Sequence, residues 1–320
     1  MGAASGTGKD RGLALIRCAW ASANRELLIA HLSDLHLREN ADVLALEHQL
    51  DRIVARQPVH LAITGDLLDR WNPRLLERVL DALDARGLLD ADRLTILHGN
   101  HDLASSGGHP RRTADLWRLV LRFWDPPPLI AARRRQFHAS INQRAEGVAS
   151  VTPFVKTLSA GFRIAGIDSV PVFWRPLTVA GDAVTVRHGV GCVREREMKW
   201  LAALPGDTPL ILLVHHFPLD PPNFHWAPRG RLRHFVSEVR VPMAIPEPQR
   251  TRFWQAAAAA GARLVLCGHV HRARMEWKDG IAIGLNGQSG ADWAGRTIAY
   301  YDLSQDPLVQ TNDALIQVEQ

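Results

Sequence analysis

Five apolar runs of strand length each end in a short polar cluster, and this recurrence constrains the chain more than any other feature. The runs are Leu27 to Leu32, Val59 to Thr64, Leu94 to Leu97, Leu210 to Val214 and Leu264 to Cys267. The clusters that follow are Asp34-Leu35-His36, Gly65-Asp66-Leu67-Leu68-Asp69, Gly99-Asn100-His101-Asp102, His215-His216 and Gly268-His269-Val270-His271. Continuous apolar runs bounded by turn residues read as buried strands of a layered α/β fold. A strand end is a rigid platform, so the loops beyond these ends can aim side chains into one cleft. Carboxylate, imidazole and amide groups without thiolate suit Mn, Fe or Zn, and Mg less well. The clusters supply enough ligands for two ions, and two ions ~3.5–4 Å apart can clamp both oxygens of an in-line displacement at phosphorus.

Between the runs the period changes from strand to helix. Asp42 to Arg56 carries an apolar stripe at Val43, Leu44, Leu46, Leu50, Ile53 and Val54, which predicts a helix. Pro73 to Arg86 repeats the pattern, with Pro in its first turn and Gly87 closing it. Arg194 to Leu204 and Gln249 to Ala260 are two more predicted helices, each leading into a ligand-bearing strand. Ser159 to Val170, Ile281 to Leu285 and Arg296 to Leu303 read as antiparallel strands with Gly-rich connections. The expectation is an N-terminal extension over residues 1–26, disordered or a mis-assigned start, and one domain over 27–320. Two stretches break the alternation, 103–149 and 217–248, and leave directly from ligand clusters. Long segments of this kind are often functional, and both are expected to overhang the cleft as cap-like inserts.

Composition narrows the partners. A net charge of +5 invites a polyanion, yet only Lys9, Lys156, Lys199 and Lys278 among the 38 basic residues are lysines. Such arginine excess beside abundant Ala, Leu and Gly reads as coding bias, so nucleic acid is not the favoured partner. Three widely spaced cysteines, Cys18, Cys192 and Cys267, make neither a disulfide framework nor a thiolate zinc site. A reducing, cytoplasmic compartment is the expectation. No apolar run approaches the ~20 residues of a membrane span. Leu13 to Trp20 is interrupted by Arg17 and Cys18 and is short for an export signal.

Each cluster also has an ordinary reading. Asp34 and His36 are two residues apart, and in an extended segment both point one way, although a surface turn carries the same pattern. Asp66 follows Gly65 at a strand end and can bridge two ions, or merely cap a following helix. Asp69 reads as a structural carboxylate that can also hold a ligand histidine. Asn100 is a neutral oxygen ligand that can donate to phosphate. His101 beside it can protonate a leaving oxygen while Asp102 holds that imidazole in its tautomer. His215 reads as a ligand and His216 as its support or as cleft wall. His269 and His271 again stand at i and i+2. In the second insert, Trp226, Arg229, Arg231 and Arg233 are candidates for holding the substrate beyond its scissile phosphate, since guanidinium pairs with phosphate or stacks on a base.

All five clusters, in this order, resemble the calcineurin-like metallophosphoesterase superfamily, whose pattern is D-x-H, G-D-x-x-D, G-N-H-D, a strand-end H, and G-H-x-H. The likeness runs from Leu27 to about Leu303. It implies a four-layer αββα sandwich, two mixed sheets face to face with helices outside. Carried onto matching positions, it implies that Asp34, His36, Asp66 and His271 hold one metal ion, and that Asp66, Asn100, His215 and His269 hold a second. The pair would be divalent or mixed-valence Mn, Fe or Zn. His101 becomes the catalytic acid or charge stabiliser and Asp102 its orienting partner. The implied activity is attack of a metal-bridging hydroxide on a phosphoester, without a covalent phosphoenzyme. His31 to Leu37, the GNHD run and His215-His216-Phe217-Pro218 are most similar to small bacterial phosphodiesterases acting on cyclic nucleotides or glycerophosphodiesters. The substrate expected is therefore a small phosphate ester. Lipid A pathway pyrophosphohydrolases usually have Arg where this chain has His101, and repair exonucleases usually add a DNA-capping domain for which the chain has no room. A non-catalytic scaffold would have lost ligands. No oligomeric state is read from the chain.

Overall fold

In the computed structural model, Leu28, Ala30 and Leu32 of the first strand face one apolar layer while Ile29 faces another. The structure describes residues 27–105, 125–170, 172, 177–186, 190–220, 224–226, 237–241, 243–287, 297–305 and 309–314. A strand buried on both faces needs a cover on each side. The next strands behave alike, with Leu61 and Ile63 on one side and Ala62 on the other.

These strands build a five-stranded sheet in the order β15 (Val309–Ala314), β14 (Thr297–Asp302), β1 (Leu28–Leu32), β2 (His60–Thr64), β3 (Leu94–Leu97). β1, β2 and β3 are mutually parallel, and β14 is antiparallel to β1. A six-stranded sheet has the order β12 (Arg274–Lys278), β13 (Ile281–Leu285), β11 (Ala262–Cys267), β8 (Leu210–Leu213), β5 (Arg163–Gly166), β4 (Phe154–Thr157). Ile29, Ala62, Leu97, Ala299 and Tyr301 of the first sheet meet Ile164, Ile211, Leu213, Leu264 and Leu266 of the second in one apolar layer. The outer face of the first sheet is covered by α1 (Asn40–Arg56), α2 (Pro73–Asp84) and α3 (Pro127–Arg144), and that of the second by α4 (Glu195–Ala202) and α5 (Gln249–Ala259). The expected four-layer sandwich of two mixed sheets flanked by helices is the observed fold. No helix among the described residues is long and apolar enough to cross a membrane.

Two expectations are corrected. Arg163–Gly166 and Ile281–Leu285 each have an antiparallel neighbour, but their other edges pair in parallel with β8 and β11. Their apolar runs are buried on both faces, as parallel strands require. The segment 103–149 is not a cap throughout. Its α3 lies in the outer helical layer, where Phe137 and Ile141, four residues apart, bury against the first sheet's core. The segment 217–248 contributes to a further sheet. Its β9 (Phe224–Trp226) and β10 (Glu238–Val241) join the hairpin β6 (Leu177–Ala180) and β7 (Ala183–Val186) in a four-stranded sheet ordered β6-β7-β10-β9. A backbone bridge between Phe217 and Ala244 closes the root of that insert.

Candidate metal centre

All five clusters leave the carboxyl ends of parallel strands, β1, β2 and β3 in one sheet and β8 and β11 in the other, so the two sheets present them along one edge. The local backbone differs from the extended reading. Asp34, His36, Asp66, His269 and His271 all have positive φ, from 46° to 71°. Left-handed conformations cost a non-glycine residue roughly 1–2 kcal/mol, and they concentrate at functional sites. The turns are held by neighbours: Asp34 N donates to the Gly65 carbonyl at 3.1 Å and His36 N to the Asp66 carbonyl at 2.9 Å. Side chains at i and i+2 therefore converge through paired left-handed turns and not through strand pleating.

Glycine is required where two loops touch. Gly65 has φ +97°, and a Cβ there would lie 2.6 Å from His215 Nδ1. A Cβ on Gly99 would lie 2.1 Å from Asp66 Oδ1.

The ligand atoms gather in two groups that meet at Asp66. In the first, His36 Nε2 and His271 Nε2 are 3.1 Å apart, and Asp34 Oδ1 lies 3.4 Å from His271 Nε2 and 3.9 Å from His36 Nε2. In the second, His215 Nε2 is 3.0 Å from Asn100 Oδ1 and 3.3 Å from Asp66 Oδ2. Asp66 Oδ2 also lies 3.7 Å from His36 Nε2 in the first group. His269 falls within ligand distance of Asp66 and His215. Ligand atoms about 2.1 Å from one ion at tetrahedral or octahedral angles are roughly 2.9–3.4 Å apart, close to most of these spacings. Asp66 Oδ2 is buried and accepts no hydrogen bond, a costly state for a carboxylate oxygen. The donor set thus fits two cations with Asp66 between them.

Outer contacts fix the ligands in place. Asp34 accepts the His269 backbone N–H on both oxygens, each at 2.9 Å, which ties the ends of β1 and β11 together. His215 Nδ1 donates to the Thr64 carbonyl at 2.8 Å, so Nε2 turns toward Asp66 and Asn100. Electrostatics follow from the crowding. Burial pushes the Asp66 carboxyl up, but His215, His101 and His36 outweigh it and hold it well below the usual carboxylate range. Asp34 is held low in the same way, burial being overcome by His271 and His215. Burial lowers His215, yet Asp66 and Asp34 raise it on balance to about 9. Two buried carboxylates draw positive charge into this cleft.

His101 stands beside the first group, its ring centroid 4.6 Å from that of His36. Its backbone N–H donates to Asp66 Oδ1 at 2.8 Å, and its Nδ1 donates to the Asp69 carbonyl at 3.0 Å. The expectation that Asp102 orients this ring is corrected. Both Asp102 oxygens are taken by backbone N–H groups, Leu68 on Oδ1 and Gly99 on Oδ2, each at 2.8 Å. The carboxylate faces the loop interior because those two donors would otherwise be buried unpaired. The Asp69 peptide carbonyl holds the ring instead, and the Asp69 carboxylate lies 3.7 Å from His36 Nδ1 and 3.9 Å from His101 Nδ1. Burial lowers the His101 pKa; Asp66 opposes this and His36 adds to it.

The ring of His216 is buried against those of His269 and His215, at 4.3 Å and 5.0 Å between centroids. Ser169 holds it, a residue that sequence reasoning passed over because a lone Ser after a strand carries no signal. Of the other predicted substrate contacts, Trp226 ends β9, while Arg229, Arg231 and Arg233 lie outside the described residues.

The chain is similar in structure to a dimetal phosphatase from Danio rerio, with 12% identity and a TM-score of 0.56 over 90% of this chain and 96% of that one. It is also similar to TT1561 of Thermus thermophilus, with 14% identity and a TM-score of 0.48 over 90% of this chain and 99% of that one. Phosphopantetheinyl hydrolase from Mycobacterium tuberculosis gives 15% identity and a TM-score of 0.41 over 85% and 91%. No curated protein matches. The sequence model for calcineurin-like phosphoesterases matches residues 27–273, a span that takes in every cluster described above. The chain belongs to the calcineurin-like phosphoesterase family.

Proposed function

We propose that the chain is a dinuclear-metal-dependent phosphodiesterase acting on a small diester of nucleotide or glycerophosphodiester type. The observation that carries the dinuclear reading is the Asp66 carboxylate, whose buried Oδ2 accepts no hydrogen bond and lies 3.3 Å from His215 Nε2 and 3.7 Å from His36 Nε2. Asp34, His36, Asp66 and His271 would hold one ion, and Asp66, Asn100, His215 and His269 the other. When bound, Mn, Fe or Zn ions supply Lewis acidity and lower the pKa of water. The protein's own part is positional. Asn100 can turn its amide N–H toward a phosphoryl oxygen while its Oδ1 faces the second group. His101, with Nδ1 engaged by the Asp69 carbonyl, offers Nε2 to pass a proton to the leaving alkoxide or to offset its charge. His216 lines the wall behind His215 and His269.

The preference for a small diester rests on the four-stranded sheet. It is rooted at the Phe217–Ala244 bridge, two residues beyond His215, which supports reading it as a flank of the cleft on that side. A duplex would need an open, extended groove. The test is a substrate panel with added Mn: chromogenic mono- and diesters, cyclic nucleotides, glycerophosphodiesters and single-stranded DNA. The expected ranking places small diesters first by kcat/KM, with activity lost on chelation and regained with Mn. A monoester or DNA at the head of the panel would overturn the diesterase reading.

A further inference from the structure

Two adjacent residues just after β5, Asp168 and Ser169, hold His98 and His216, which stand two residues before Asn100 and one after His215 in the chain. Asp168 Oδ1 accepts from His98 Nε2 at 3.2 Å and from Val170 N at 2.9 Å. Its Oδ2 faces two guanidinium groups, Arg134 at 3.0 Å and Arg194 at 3.2 Å. His98 follows β3 directly and stands two residues before Asn100. Ser169 Oγ accepts the His216 backbone N–H at 3.0 Å and shares a hydrogen bond with His216 Nδ1 at 2.9 Å. His216 comes immediately after His215, and its ring leans on His269 as well. Asp168, Ser169, His98 and His216 are each at most 3% exposed, so water does not compete for these bonds.

The arrangement has little slack. A Cβ on Gly191 would lie 2.6 Å from His216 Cβ, and Cys192 N donates to the Ser169 carbonyl at 2.9 Å. Arg134 also donates to the Val170 carbonyl at 2.9 Å, holding the same turn from α3. The turn after β5 is thus fixed from α3, from the residue after β3 and from the loop before α4. β5 neighbours β8 in one sheet, and β3 is the edge of the other. One dipeptide therefore sets the spacing between residues carried by different sheets.

We propose that Asp168 and Ser169 are positioning residues for the second ligand group, a clamp that sets Asn100 through His98 and sets His215 and His269 through His216. The inference rests on the dinuclear reading above. Asp34, His36 and His271 are tied to one another and to Gly65, Asp66 and Asp69, and the clamp meets them through a backbone bond, the His269 N–H on Asp34. Disturbing it should loosen one ion and spare the other.

The experiment is Mn²⁺ titration of the full-length apo chain by equilibrium dialysis, with melting temperature measured alongside, for wild type, Ser169→Ala and Asp168→Asn. Ile164→Val, on β5 just before them and in the inter-sheet layer, controls for general destabilisation. Loss of a residue that orients a ligand typically costs about 10–100-fold in metal affinity. Ser169→Ala is expected to weaken the second Mn²⁺ by tenfold or more and to leave the first within threefold. Asp168→Asn should act in the same direction, and Ile164→Val should lower the melting temperature with both affinities unchanged. Two ions bound by Ser169→Ala with wild-type affinities, or both weakened equally, would overturn the clamp alone. A wild-type chain that takes up only one ion would overturn the dinuclear reading, and the clamp with it.

Discussion

Asp69 and Asp102 are three and two residues from proposed ligands, yet their carboxylates do different work. Asp69 faces His36 and His101, and its peptide carbonyl holds His101 Nδ1. Asp102 receives two backbone N–H groups, one from its own loop and one from the loop after β2. Burial, then the charge of Asp66, pushes Asp102 up to about 7, while the Gly99 and Leu68 N–H groups favour its ionised form. These contacts predict a split between chemistry and stability. His101→Ala should keep both ions while kcat falls ~10²–10⁴-fold, with a smaller loss for acidic leaving groups such as nitrophenol. Asp102→Asn should instead leave one N–H facing an amide N–H and cost about 1–3 kcal/mol of stability, read by urea denaturation. A selective loss of kcat in Asp102→Asn at unchanged stability would restore it to the catalytic role. The sequence singled out His101 as a candidate from its place in the GNHD run. It did not distinguish the two aspartates, because hydrogen-bond direction depends on how the loops after β2 and β3 fold against each other.

Element by element, the parts that were legible are those with local signals. Asn40–Arg56 and Pro73–Asp84 carry apolar stripes at helical spacing, and Asn72 caps the second by accepting from Leu75 N at 3.2 Å. The buried strands that aim the ligands were legible because each is mostly apolar and is followed within two residues by Gly, Asp or His. The left-handed turns at Asp34, His36, Asp66, His269 and His271 were not, since Asp and His are enriched at positive φ yet most of them adopt negative φ, so residue type alone does not mark the turn. α3 was hidden because Arg133, Arg134 and Arg135 interrupt its stripe. Arg133 turns to the Leu103 carbonyl and Arg134 to Asp168. The pairing of β10 with β7 joins residues more than fifty apart and is not recorded locally. One long-range tie is open to direct measurement. Lys156 on β4 donates from Nζ to the carbonyls of Ala91, Leu94 and Gly147, linking the second sheet to the strand end of the first. Lys156→Met keeps the stem but leaves those carbonyls without their donor, and is expected to lower unfolding free energy by about 2 kcal/mol. An unchanged denaturation midpoint would show that water replaces the ammonium without cost.

At the scale of the whole molecule, the two sheets bury a shared apolar layer and leave their carboxyl edges to form the cleft. That layer contains or adjoins neutral histidines, which makes the sandwich sensitive to acid. His60 is lowered from 6.5 to about 3, by burial first, with the Asp92 carbonyl opposing and Lys156 adding to the effect. The unfolded chain takes up this proton near pH 6.5 and the folded chain only near pH 3, so the stability it contributes is present above pH 6.5 and lost as pH falls toward 3. Between about pH 7 and 5 the wild type should lose about 2 kcal/mol more than His60→Gln, measured by urea titration at both pH values. Equal losses would mean that His60 protonates in the native state. The central claim is that the two sheets deliver two ligand groups that share Asp66. Mn²⁺ titration of the apo chain, comparing wild type with Asp66→Ala and Asp34→Ala, tests it most directly. The expected result is two ions per wild-type chain, loss of affinity for both in Asp66→Ala, and loss of mainly one in Asp34→Ala. Two ions bound at wild-type affinity by Asp66→Ala would contradict it.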